Sequence, residues 1–349
     1  MTAQLKPLEG IKVLSLGGIG PVPFAAMLLA DLGAEITRLE TPAGLSETEQ
    51  ALHGIIFRDQ PARTTDLKDP DDLAAVRDMI ATSDVLLEGF RPGVAERLGV
   101  GPQDCHSINP GLIYGRMTGW GQDGPLAHSP GHDINYIAIS GLLEPIAGSD
   151  GTPVPPMNLL GDFAGGSMYL VAGVLSSLYR RDNRTYGTGE GVVIDAAIVD
   201  GVAHHSAMLH SMRAAGHWDG GRAGNLLDGG APFYQIYRTS DDKWMSAGAI
   251  EPKFYANLLE GLGLSEGFSA KDQYDQSQWP LLREKFAEAF ASKTRQQWVE
   301  IFRHLEACVF EVVAADEVVD HPHLSARGSY TDARGFIEPT TAPRIYPAQ

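Results

Sequence analysis

Residues 11–16 (IKVLSL) form an apolar run of the length of a buried strand, and residues 17–21 break it with glycine and proline. From 22 to 32 the apolar positions return at helical spacing and stop at Gly33, and 35–39 (EITRL) read as the next strand. That sequence of signals is one βαβ unit. Further on, 71–80 carries a helical pattern, and 85–87 and 112–114 are short apolar strands. Strands alternating with helices in this way predict an α/β fold with a parallel, Rossmann-like sheet covered by helices on both faces.

A long helical tract is expected over 163–181, then a polar Gly-rich hairpin at 182–191, a strand at 192–194 and helix through Met212. The segment 213–230 holds six glycines and little apolar content, as a linker does. Residues 234–237 and 244–249 read as a hairpin around Asp241 and Asp242, followed by helices at 252–262, 280–291 and 295–304. The expected organisation is a large domain over 1–200, rejoined by 326–349, a helical and Gly-rich linker over 201–230, and a smaller α+β domain over 231–325.

Composition narrows the function. Acidic residues outnumber basic ones 44 to 27, a formal charge of −17, which argues against nucleic acid or an anionic membrane as partner. Apolar stretches break within a dozen residues, well short of the ~20 that a membrane span needs, so no membrane insertion is expected. Residues 1–10 carry no secretory pattern, and Pro347-Ala348-Gln349 is no peroxisomal address. With only Cys105 and Cys308, neither a zinc cluster nor a disulfide framework is predicted, and a cytoplasmic location fits.

The first strand–turn–helix invites a dinucleotide reading, but its turn, Gly18-Ile19-Gly20-Pro21-Val22-Pro23, has Pro23 where a G-x-G-x-x-G loop needs its third glycine. Arg38 stands at the end of the second strand, where an acid would suit a ribose diol and an arginine suits a phosphate. Its alternative is a solvated surface residue.

Longer strings carry more. GIGPVPFAAMLLADLGAEITRLE (18–40), EGFRPGVAERLGVGP (88–102), YGRMTGWGQDGP (114–125), GHDINY (131–136), NLLGDFAGGSM (158–168), GVVIDAAIVDG (191–201) and GAIEPKFY (248–255) occur in that order. Together they resemble the family III CoA-transferase superfamily (CaiB/BaiF type) over nearly the whole chain. Gly131-His132-Asp133 replaces the usual G-Y/F-D of the transferase branch, and His132 with the later Glu251 resembles the α-methylacyl-CoA racemase branch. In that branch the matching His132 and Asp162 are the two catalytic bases. The resemblance also places CoA against Arg38, the stretch Thr65, Asp66, Leu67 and Lys68, Gly89, Arg91, the 127–132 loop with Ala127 and Gly131, and Asp133 and Tyr136. It further implies an interlocked homodimer. The segment 44–64 departs from the family pattern, with only Arg58 and Arg63 basic, and the chain ends soon after Pro343-Arg344.

The implied reaction is inversion of the α-carbon of a 2-methylacyl-CoA, with CoA as part of the substrate and no added cofactor or metal. It needs one base on each face of the carbon, and His132 suits one of them, since imidazole as a side-chain class exchanges protons near neutral pH. Glu251 would hydrogen-bond the other ring nitrogen of His132, and backbone N–H groups at helix starts at Asp133 and Phe163 would bind the enolate oxygen. Each residue also has a structural alternative: Asp162 as a helix N-cap, Glu251 as a dipole partner before Pro252, His132 as a turn residue. The competing functions are a CoA-transferase with Asp162 as nucleophile, a nicotinamide oxidoreductase, and a noncatalytic acyl-CoA-binding protein. Met157, Met168, Met208 and Met212 read chiefly as core, with an adaptable acyl pocket as the alternative.

Overall fold

The computed structural model describes residues 4–45, 47, 50, 54–148, 150–218 and 220–348. Lys12–Leu16 (β1), Glu35–Glu40 (β2), Ala62–Thr64 (β3), Val85–Glu88 (β4), Ile113–Thr118 (β5) and Val192–Ala197 (β6) form one sheet in the order β3-β2-β1-β4-β5-β6. Every pairing in it is parallel. The central strands read as continuous apolar runs because helices cover both faces: β4 is buried throughout and β1 from its second residue on.

The order of strands reverses between β1 and β4. The loops that leave their carboxyl ends therefore diverge to opposite faces and open a crevice, the usual ligand position in a sheet of this kind. Pro21–Asp31 (α1) starts directly after Gly20, whose φ of 74° is open to glycine, and Pro21 opens the helix with its fixed φ. Pro70–Ala81 (α2) is capped by Asp69, which accepts from the N–H groups of Asp71 and Asp72. Val94–Arg97 (α3), Pro102–Ile108 (α4) and Asp133–Ile139 (α5) follow.

The expected helix at 163–181 begins earlier. Leu159–Ser167 is π-helical and runs on into Met168–Asp182 (α6). Its glycines explain why periodicity missed it, since they replace apolar side chains where another helix comes close. A Cβ on Gly165 would lie 2.7 Å from Val202 Cγ2, and one on Gly201 would lie 1.9 Å from the Gly165 carbonyl oxygen. Val202 and Gly201 belong to Ile198–His205 (α7), and the expected single helix through Met212 is in fact α7 and Ala207–Ala214 (α8). Among the described residues, Leu159–Asp182 is long and apolar enough to cross a membrane by length and composition. Here it packs on α1, α7, β5 and β6 as a core helix.

The chain forms two compact units. The first comprises Met1–Leu142, Pro156–Ala207 and Glu338–Gln349, the second Leu143–Pro155 and Met208–Ile337. The second unit thus takes in 143–155 and keeps the chain until 337, where hydropathy alone suggested a division at 231 and 325. Nor is its Gly-rich segment a plain spacer. Asn225 donates through Nδ2 to Asp228 Oδ2 (2.7 Å) and to the Gly221 carbonyl (3.0 Å), while Asp228 Oδ1 accepts from the Asn225 and Gly230 N–H groups. Tyr234–Arg238 (β7), Trp244–Gly248 (β8) and Val309–Glu311 (β9) form an antiparallel sheet, with Asp242 at φ 58° in the hairpin turn. Pro252–Leu262 (α9), Trp279–Phe290 (α10) and Arg295–Phe302 (α11) cover it, and Tyr237, Tyr255, Trp279, Phe286, Phe290, Trp298 and Phe302 fill the space between.

Candidate active site

The loops that leave β1, β4 and β5 surround a cavity of about 510 Å³ in the first unit. Glycines let the first two loops touch: a Cβ on Gly89 would meet Val22 Cγ2 at 3.1 Å and the Gly18 Cα at 3.7 Å. The loop read as a broken dinucleotide fingerprint, with Gly18, Gly20 and Pro21, is thus one wall of this cavity. Gly89 and Arg91 form another.

Below that wall lies a buried ion pair that periodicity does not reveal. Glu88, fully buried at the end of β4, accepts from Arg116 Nε (2.8 Å) and from the Phe90 N–H (2.6 Å). Arg116, its register partner on β5, also reaches Glu96 through Nη1 at 2.8 Å. Burial pushes the Glu88 carboxyl above its ordinary pKa, and the Phe90 N–H and Arg116 oppose that rise. The arrangement fixes the first turn of the Gly89-Phe90-Arg91 loop.

His132 occupies the N-cap position of α5. Its backbone N–H donates to Asn135 Oδ1 (3.1 Å), which fixes the turn, and His132 lines the cavity. Tyr136, one turn on, braces the same loop: its hydroxyl donates to the Gly131 carbonyl, and its ring meets Trp120 edge-on with centroids 4.8 Å apart. A Cβ on Gly119 would lie 2.1 Å from that ring, so only glycine fits. Burial, helped by the Asp162 charge, pushes the Tyr136 hydroxyl up to about 12.

Asp162 faces the same cavity from inside the π-helical segment. It is not the N-cap; Asn158 holds that position. The Asp162 carboxylate accepts from Asn158 Nδ2 at 3.4 Å, and a Cβ on Gly20 would lie 3.6 Å from its Oδ2. Burial raises the pKa of Asp162; the Asn158 bond and His132 oppose the rise, and the charge of Asp133 adds to it. The Asp162 N–H is taken by Asp133 Oδ2 at 2.7 Å. The expected helix start at Phe163, with free N–H groups for an enolate oxygen, therefore does not exist in that form. Asp133 does not cap its own helix either: its carboxylate points to the π segment.

The structure brings Gly89, Arg91, Ala127, Gly131, His132, Tyr136 and Asp162 to one cavity, with Asp133 buried against Asp162. Arg38 is not among the lining residues. It is no solvated surface group, since it pairs with Glu40 and its guanidinium lies 3.9 Å over the Phe57 ring. Thr65, Asp66, Leu67 and Lys68 form the turn between β3 and α2, with Thr65 buried, Asp66 Oδ1 accepting from the Lys68 N–H and Leu67 packed on the core. Glu251 belongs to the second unit, where it is the N-cap residue of α9 without a side-chain cap bond. Of the methionine stripe, Met157, Met168 and Met208 are exposed, so core packing is not their role. Sequence reasoning missed Asn158 as a partner of Asp162, and its four-residue spacing ahead of the aspartate was the available signal.

A model of CoA-transferase family III matches residues 8–348. The human protein named alpha-methylacyl-CoA racemase is 42% identical over 97% of this chain and 86% of its own length. A succinyl-CoA–D-citramalate CoA-transferase from Chloroflexus aurantiacus is 33% identical over 75% of this chain and 66% of its own. Among solved structures, Rv3272 of M. tuberculosis superposes with a TM-score of 0.77 at 27% identity, covering 98% of this chain and 94% of that one. The chain belongs to CoA-transferase family III.

Proposed function

We propose that this family III chain is an α-methylacyl-CoA racemase: it inverts the α-carbon of a 2-methylacyl-CoA by moving a proton off one face and onto the other through an enolate. The observation that carries the reading is one cavity lined by both an imidazole, His132, and a carboxylate, Asp162, whose pKa burial has raised. Either group takes the α-proton from its own face while the other, protonated, delivers one to the opposite face. Proton transfer by positioned groups of this kind contributes ~10²–10⁴-fold each. A raised carboxyl suits a group that must both take and give a proton, because its pKa lies nearer the working pH than that of an ordinary aspartate. The identity to a relative named a racemase supports the same reading.

CoA enters as the carrier of the substrate, and the reaction as proposed asks for no metal or further cofactor. Arg91 and Gly89 would meet its phosphates or pantetheine at the cavity wall, with Arg38 and the turn Thr65, Asp66, Leu67 and Lys68 as candidates for its adenosine end. A homodimer, and Glu251 as the group that orients the His132 ring, belong to the same proposal, as does a cytoplasmic location.

The relative named a CoA-transferase keeps a second reading open, in which Asp162 attacks the thioester to give a mixed anhydride and then an enzyme–CoA thioester. Incubating a single enantiomer of a 2-methylacyl-CoA with a labelled free carboxylic acid separates the two. A racemised thioester with no label in the CoA pool supports the proposal; label moving into the thioester without inversion overturns it.

A further inference from the structure

Asp133 is a buried carboxylate, only 5% exposed, that the two-base chemistry does not call on. Its Oδ2 accepts from the Asp162 N–H at 2.7 Å. Its Oδ1 is buried with no hydrogen-bond partner among the described residues. Keeping a carboxylate out of water for one hydrogen bond is unfavourable, so stability does not explain it. The approach is also specific: a Cβ on Gly161 would lie 2.4 Å from Asp133 Oδ2, and only glycine at 161 admits the carboxylate.

The local structure shows what Asp133 does there. Asp162 lies in the first turn of the π-helical segment, where backbone N–H groups have no acceptor within their own helix. Asp133, from the start of α5, supplies the missing acceptor, and the residue before it is His132. One short stretch of α5 therefore fixes both members of the proposed proton-transfer pair. It also sets a negative charge beside Asp162.

We propose that Asp133 is the positioning residue of Asp162: its carboxylate fixes the Asp162 backbone and sets a negative charge beside the Asp162 carboxyl. The groups that face Asp162 are Asp133 and His132 from the start of α5, Tyr136 one turn further, Asn158 from its own segment and Gly20 from the α1 loop. Asp133 is the one that opposes ionisation by charge, while Asn158 and His132 favour it. The inference rests on the racemase reading only for its consequence on rate, not for the titration itself.

Full-length protein labelled with ¹³C at aspartate carboxyl groups tests it, with the Asp162 resonance assigned through Asp162→Asn. Asp133→Asn keeps an oxygen to accept the Asp162 N–H and removes the charge. The Asp162 titration midpoint should then move down, and the acid limb of α-proton exchange should move down with it. Asp133→Ala removes the acceptor as well and should cost ~100-fold in exchange, the scale of a small misplacement at a reacting centre. An Asp162 midpoint that stays in place in folded Asp133→Asn overturns the charge role. Wild-type exchange and an unshifted Asp162 amide resonance in Asp133→Ala overturn the positioning role. If the midpoint moves but Asp162→Asn still exchanges α-protons at the wild-type rate, the racemase reading fails while the Asp133 assignment stands.

Discussion

The second unit and the cavity of the first are built on opposite principles. Around β7 and β8, stacked and edge-on aromatic rings close a core, with Tyr237 against Phe290 at 4.9 Å between centroids and Trp298 against Phe302 at 5.8 Å. Both of its core tryptophans are satisfied: the Trp298 indole N–H donates to the Phe290 carbonyl and that of Trp279 to the Gln273 carbonyl, while the Tyr255 hydroxyl has no partner among the described residues. Around the cavity, glycines replace side chains, and carboxylates such as Glu88 and Asp133 are held out of water. Asp133 keeps an oxygen without a partner among the described residues. The contrast separates residues chosen for stability from residues kept despite their cost to it.

Substitutions should break along that line. Asp162→Ala and His132→Ala should each lower α-carbon inversion ~10²–10⁴-fold while leaving the melting temperature unchanged or, for Asp162, raised, because a half-buried carboxyl whose charged form is disfavoured has been removed. Calorimetry beside an inversion assay checks both halves, and a large loss of stability in either variant would place that residue in the core class. Trp298→Ala should do the reverse. A truncated buried tryptophan costs ~3–5 kcal/mol, read as a fall in the urea midpoint of the second unit.

The arginines sharpen the comparison within the CoA reading. Arg91→Ala should weaken binding of free CoA ~10- to 100-fold, as the loss of a charged hydrogen bond to phosphate implies. Arg38 already pairs with Glu40 and stacks on Phe57, so Arg38→Ala should cost less affinity than Arg91→Ala. Equal losses, measured by titration calorimetry, would mean that Arg38 exchanges its pair for the ligand.

A smaller effect concerns pH. Asp162 must be ionised to take a proton, and burial raises its folded pKa above the ordinary 3.8. Exchange initiated from its face should therefore fall away on acidification at a pH above 3.8, and the fall should begin earlier than for a solvent-exposed aspartate. A limb at or below 3.8 would show that the burial of Asp162 is relieved when substrate binds.

Much of the frame is legible in residue pattern. The βαβ start, the central strands and the hairpin at 234–249 follow from short apolar runs punctuated by glycine and proline. The π-helical turn does not, because Leu159-Leu160-Gly161 carries no helical periodicity, Asn158 at its N-cap makes no side-chain cap bond, and its shape depends on α7 and Asp133. The folded loop at 220–230 was hidden for a similar reason: its glycines suggest freedom, while Asn225 and Asp228 remove it. His132 and Asp162 stood out only through the family resemblance. The role of Asp133 rests on a contact across 29 residues, which no local pattern encodes.

The central claim, that His132 and Asp162 exchange the α-proton from opposite faces, is tested most directly by NMR of each enantiomer of a 2-methylacyl-CoA in D₂O. Wild-type protein alone, with no acceptor acid, should replace the α-proton by deuterium and give both configurations from either enantiomer. His132→Ala and Asp162→Ala should each lower inversion ~10²–10⁴-fold, with residual exchange confined to one enantiomer, and a different one for each variant. Retention of the α-proton by both enantiomers in the wild type, or unchanged inversion in both variants, would contradict the account.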